Sequence, residues 1–232
     1  MNEPPQWLVA LAWMSLAVAA LCAADILFDI YGRRRRQMMP VMEAVWPVTA
    51  LYFGPVASLA YRRWGRPKSM RWLHEQGLEE PPDRPFWTKV AVGVSHCGAG
   101  CTLGDIVAEW VVFAVGAQIA GLALFPAYIG DYILALSFGI AFQYFAIAPM
   151  RGLGFRKGIV QAAKADVLSL TAFEVGLFGW MALTSLVFFP HPHLEPTSPV
   201  YWLFMQIGMV LGFFTAWPVN VWLIRAGVKK AM

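Results

Sequence analysis

The chain has 232 residues, of which 59% are hydrophobic and only 14% charged, against about one quarter charged in an ordinary soluble domain. Its net charge of +4 does not form a nucleic-acid-binding patch. The bases fall at 33–36, 62–89, 151–157 and 225–230, with Lys164 as the exception, and such clusters beside apolar runs mark cytoplasmic loops facing anionic lipid headgroups. The composition therefore excludes a soluble or nucleic-acid-binding protein and makes the lipid bilayer the expected partner. Three cysteines are too few for a disulfide framework.

In chain order, residues 7–30 form a first apolar run long enough to span. That run ends in acids and arginines, and no basic n-region precedes it, so a transmembrane segment is expected and not a signal peptide. Residues 41–61 form a second run, interrupted by Pro47, Gly54 and Pro55. The stretch 62–89 reads as a basic cytoplasmic loop. The run 90–125 would be roughly 54 Å long as one helix, so a break, a strong tilt or a protruding end is expected, and a break could fall at the glycines around 97–101 or at 116–121. Residues 127–150, 159–189 and 199–224 supply three further spans.

The N-terminal arm, the turn at 125–130 and the loop 190–199 contain no Lys or Arg and are expected outside, with the C-terminus cytoplasmic. Basic clusters on both sides of 41–61 conflict with a simple crossing. The preferred reading is a re-entrant segment, which its Pro and Gly residues permit. The expected fold is thus an all-α polytopic transmembrane bundle of five spans, with six plain spans as the alternative, forming a single membrane domain. No feature specifies an oligomer.

Eight acids lie within or beside these runs: Asp25, Asp29, Glu43, Asp105, Glu109, Asp131, Asp166 and Glu174. A charge at mid-bilayer costs at least about 2.5 kcal/mol on insertion scales, so such groups face a protein interior or a watery cavity. Asp25, Asp29, Glu43 and Asp131 suit the headgroup zone, whereas Asp105, Glu109 and Glu174 have apolar sequence on both sides.

The stretch 95–110 carries the most chemistry. On a helix Cys97, Cys101, Asp105 and Glu109 follow at steps of four and form one stripe. His96, Gly100, Gly104 and Ala108 form the adjacent row, whose small residues would admit another helix at close range. Two thiols and an imidazole suit a soft or borderline cation such as Cu(I) or Zn(II). The candidate metal site is therefore His96, Cys97, Cys101, Asp105 and Glu109, with copper or zinc as the expected ion. Two other readings stand beside it. One is a membrane thiol-disulfide oxidoreductase using Cys97 and Cys101, and the other is a structural or assembly partner with inert cysteines.

Gln143, Gln206 and Asn220 are expected to hydrogen-bond between helices, and Asp166 and Glu174 to join a polar or proton network. No phosphate-binding loop or zinc-protease motif is present, so no nucleotide is expected. His96 is the one histidine in a membrane run, which argues against haem held between helices.

Several phrases carry a family resemblance: Val45-Trp46-Pro47, the run from Ser95 through His96-Cys97-Gly98-Ala99-Gly100-Cys101 to Asp105, Phe142-Gln143-Tyr144-Phe145, Lys164-Ala165-Asp166 with Leu168-Ser169-Leu170-Thr171, and Pro218-Val219-Asn220. They resemble an uncharacterised membrane family of bacteria and archaea, the domain-of-unknown-function family 4396. The resemblance implies residence in a bacterial or archaeal cytoplasmic membrane and carries over no catalytic role. Some members bear a copper oxidase-related label, yet this chain lacks the long soluble copper domains such a label requires. The function expected from sequence is transport or handling of a transition metal or another cation.

Overall fold

A computed structural model describes residues 4–151 and 154–229. The elements are α1 (Gln6–Leu27), α2 (Met42–Phe53), α3 (Pro55–Ala60), α4 (Met70–Gln76), α5 (Phe86–Val115), α6 (Leu124–Arg151), α7 (Phe155–Leu183) and α8 (Pro199–Arg225). Among the described residues, five helical stretches are long and apolar enough to cross a membrane: Gln6–Gly32, Phe86–Val115, Leu124–Phe145, Asp166–Phe188 and Pro199–Arg225. The protein is an all-α membrane protein. Its outward faces carry large apolar side chains, among them Trp13, Leu21, Val115, Ile133 and Phe214, as expected where lipid replaces water as the solvent.

The segment 41–61 is not a plain crossing. α2 runs inward and stops at Gly54, whose backbone (φ 53°, ψ −125°) suits only glycine, and α3 starts at Pro55 in the position where its missing N–H costs nothing. The two ends of this hairpin lie together: the Met38 amide donates to the Lys68 carbonyl at 2.9 Å, and Gln37 bridges to Ser69. The return passes through Tyr61, which donates to Asp29 at 3.0 Å. Beyond it, Arg66 grips both Asp29 oxygens at 3.0 Å. Arg33 and Arg35 add to the same carboxylate. Asp29 thus ties the base of the hairpin to the end of α1. In the same region, outside the spans, Arg71 and Arg35 hydrogen-bond to Glu75 and hold its carboxyl below the ordinary glutamate value.

α5 is one unbroken helix through Gly98, Gly100 and Gly104. The break expected in 90–125 falls at the second of its two sites: Gly116 ends the helix in the left-handed region (φ 69°), and Gly121 follows at φ 78°. At 30 residues, α5 is about 45 Å long, longer than the hydrocarbon layer.

The small-residue row of α5 receives α6. A Cβ on Gly100 would lie 2.9 Å from the Cα of Gly139, one on Gly104 would lie 2.7 Å from the Cα of Ala135, and one on Gly130 would sit 3.2 Å from the Ala108 Cβ. Backbones that approach this closely gain dispersion contacts that larger side chains would prevent. On the other side, α7 packs against α8 through Gly176 and Gly212. Phe173, Leu177, Met205, Met209 and Phe213 fill the space between them.

Among the described residues, the basic segments beside α1, α3, α5, α6, α7 and α8 share one end of the bundle, the Arg-rich end. The turn 116–123 and the loop 189–198 form the other, which is called the vestibule end below.

Candidate functional site

α5 runs from the Arg-rich end to the vestibule end, and its polar stripe is the axis of the interior. From Cys97 to Glu109 the helix rises about 18 Å. Along that rise the structure separates the five residues proposed from sequence into three surroundings.

His96 faces α6. It is fully buried, its ring edge-on to Phe142 at 6.1 Å between centroids and close to the Phe142 carbonyl. The helical backbone there keeps it off the thiol stripe. Gln143, on α6, is also buried, and among the described residues its Oε1 has no hydrogen-bond partner, so it does not show the interhelical bond expected of it.

Cys97 sits in a polar knot with residues from α7, α8 and the tail beyond α8. Its thiol donates to Asp166 and lies 3.0 Å from the Ser169 hydroxyl. Asn220 donates to Ser169 at 2.6 Å and to the Ala216 carbonyl at 2.9 Å. The centre of the knot is the Lys229 ammonium. It donates to Asn220 Oδ1 at 2.9 Å, Cys97 Sγ at 3.0 Å, the Gly93 carbonyl at 3.3 Å and Ser169 at 3.5 Å, with Asp166 at 3.8 Å. Gly139 lets Asp166 into this position, since a Cβ there would strike the carboxylate.

One turn further along α5 an acidic chamber begins. Cys101 neighbours Glu174 and Asp105. Asp105 in turn faces Glu174, Asp131 and Glu109, and Glu109 hydrogen-bonds with Tyr201 and Asp131. All four acids are buried, at 0% exposure for Asp105, 1% for Glu174, 2% for Asp131 and 6% for Glu109. None of the four forms an ion pair among the described residues. Among the described residues, both oxygens of Asp105 and one of Asp131 have no hydrogen-bond partner, and Glu174 meets only the Cys101 thiol.

Glu109 and Tyr201 also line a cavity of about 360 Å³ that opens at the vestibule end, together with Met181, His193 and Glu195. The acidic chamber therefore lies directly beneath an opening.

Among the described residues, no three His, Cys, Asp or Glu side chains stand together as a ready-made metal site. All three cysteines are free thiols.

Sequence reasoning grouped Lys229 with the basic cluster 225–230 facing lipid headgroups and assigned Asp131 to the headgroup zone; both are buried in the polar interior instead. Lys229 left no local signal, because only the turn after α8 brings it back. Asp131 had one: it stands on α6, the helix that the glycine row of α5 admits. Lys164, the cation noted near the last spans, is exposed, and Lys230 lies outside the described residues. Gln206 joins three helices, accepting from Ser15 at 2.7 Å and donating to the Leu51 carbonyl at 2.6 Å.

No curated protein and no solved structure matches the chain. One family model matches residues 86–229, which covers α5 to α8, every residue of the polar knot and the whole acidic chamber. By that match, over more than half its length, the chain belongs to the family described as Domain of unknown function (DUF4396).

Proposed function

We propose that the protein carries a small cation through the membrane, with the acidic chamber as its binding site and the proton as its simplest occupant. The observation that supports this best is the burial of four carboxyl groups together, with both oxygens of Asp105 unpartnered among the described residues and Glu174 meeting only the Cys101 thiol, beside Glu109 and Asp131. Four like charges in a low-dielectric interior cannot all ionise without compensation. At least some of them must hold a proton or share a cation, and both alternatives couple the chamber to cation exchange through the vestibule. Glu109, hydrogen-bonded to Tyr201 and Asp131 and lining the cavity, is the entry group. The positive-inside rule orients the Arg-rich end to the cytoplasm, so loading is from outside.

The test is flux. Purified protein in liposomes containing a pH-sensitive dye is given an inward cation gradient. Wild type is expected to move protons or to exchange them for the cation, and Asp105→Asn and Glu174→Gln to abolish that flux. Equal flux in wild type and both variants would remove the chamber from the mechanism.

A transition-metal cargo, copper or zinc, is the second reading. It draws on Cys101 and the carboxylates around it, whereas the ammonium of Lys229 against Cys97 opposes a second cation at that thiol. Metal retained by wild type and lost in Cys101→Ser supports it. Thiol-disulfide exchange is disfavoured, because attack requires access and both Cys97 and Cys101 are fully buried.

A further inference from the structure

Lys229 occupies its place in an unusual way. α8 ends at Arg225, and the next three residues, Ala226, Gly227 and Val228, are exposed. Gly227 turns the chain at φ 71°, and the Val228 and Lys229 amides both donate to the Leu223 carbonyl, at 3.0 and 3.1 Å. From this exposed turn one side chain enters the bundle, and Lys229 is 2% exposed.

The shell that receives it is organised by its own members. Asn220 is held by Ser169 and the Ala216 carbonyl, which leaves its Oδ1 aimed at the ammonium. The Cys97 thiol is held by Asp166, which leaves the sulfur lone pairs free to accept. The Gly93 carbonyl comes from the rigid α5. These acceptors keep their orientation without help from the lysine, which is the hallmark of a preorganised binding site. An ammonium group has three donors and no acceptor, and the shell is its complement: one carboxylate, four neutral acceptors and no competing donor aimed at the nitrogen.

We propose that Gly93, Cys97, Asp166, Ser169 and Asn220 form a binding site for a primary ammonium group or ammonium ion, which the chain's own Lys229 fills as a tethered competitor. The site is a full turn of α5 away from the acidic chamber and stands whether or not the chamber carries cations. A small ammonium ligand enters from the Arg-rich end only when the turn at Gly227 swings the lysine out, so the tail both mimics and excludes the ligand.

The test is chemical rescue. Lys229→Ala removes the tethered ammonium and leaves the shell. In the detergent-purified variant the melting temperature falls, and alkylation of Cys97 by a maleimide speeds up severalfold. Ethylammonium is expected to reverse most of both changes, whereas tetramethylammonium, which has no N–H to donate, reverses neither. Wild type responds to neither ion at the same concentration. If Lys229→Ala does not fold, Lys229→Gln, which keeps a donor for Asn220 Oδ1, carries the same comparison. Equal effects of the two ions, equal effects on wild type, or failure of both variants to fold with ethylammonium present throughout would each overturn the proposal. The liposome flux reports on the chamber and this rescue on the lysine site, so either can fail alone.

Discussion

Glu174→Leu is expected to make the protein more stable and leave it inactive. Glu174 is 1% exposed, and among the described residues its carboxyl meets only the Cys101 thiol, a weak donor that leaves it poorly satisfied. A buried polar group left unsatisfied costs roughly 1–3 kcal/mol, and a group that must also hold a charge in the bilayer costs more. Leucine is apolar and of similar bulk, and it would stand among Cys101, Leu177 and Phe173, so the replacement recovers that cost without opening a large cavity. For a chain of this size each kcal/mol shifts the melting temperature by roughly 2–4 °C, so the expected rise is about 2–12 °C. The assay is thermal unfolding in detergent followed by tryptophan emission, and the flux assay is run on the same preparation. A comparable fall in melting temperature would refute the reasoning, because it would mean that the carboxylate is paired and structural.

Other consequences are as direct. Gly104→Val places a branched side chain where the Ala135 backbone of α6 already lies; overpacking of this kind costs about 1–3 kcal/mol or more, and the yield of folded, monodisperse protein should drop sharply, whereas Gly154→Ala, with open space around it, should be silent. Asp29→Asn removes the carboxylate that Arg33, Arg35, Arg66 and Tyr61 share; the arginines keep partial access to water, so the loss is roughly 1–3 kcal/mol, below the value for a fully enclosed pair, read as a lowered melting temperature. Native alkylation with a bulky maleimide should label Cys22, which is partly exposed, well before Cys97 and Cys101; early labelling of Cys101 would mean that the chamber is open from the lipid or the vestibule. Tyr201→Phe, which removes the hydroxyl bonded to Glu109, should shift the pH dependence of flux while leaving stability nearly unchanged.

The sequence carried the spans and the hairpin because their signals are local. A run of apolar residues long enough to cross hydrocarbon has few alternatives, and Pro47, Gly54 and Pro55 between two basic clusters leave a segment that enters and returns. The spacing of four that aligns Cys97, Cys101, Asp105 and Glu109 is likewise local, as is the small-residue row that receives α6. What one helix cannot specify is which groups the others bring to it. Asp166 and Glu174 stand eight residues apart on the same face of α7, and each meets a different cysteine. The two sulfurs therefore belong to two environments, one holding an ammonium and one an acid cluster, although their spacing suggested a shared ligand. Lys229 was the least legible, since its burial depends on a turn at Gly227 and on a pocket assembled from α5, α7 and α8.

The separation of these environments bears on the chemistry. Cys97 and Asp166 already have a cation, whereas Asp105, Glu174, Asp131 and Glu109 do not, and they lie on the side of the vestibule. The polar interior is thus asymmetric from end to end, with the Lys229 ammonium near the Arg-rich end and, beneath the opposite opening, acids that form no ion pair among the described residues. Under the proposed function, such an arrangement would attract a cation from one side and repel it from the other.

The most direct measurement is infrared difference spectroscopy of the reconstituted protein, which distinguishes protonated from ionised carboxyl groups. At neutral pH and without added cations, wild type should show a protonated-carboxyl band that diminishes in Asp105→Asn and in Glu174→Gln. Cations admitted to the vestibule side should displace those protons and weaken the wild-type band. A spectrum with every buried carboxyl ionised in cation-free buffer, unchanged by cations and by both substitutions, would contradict the account.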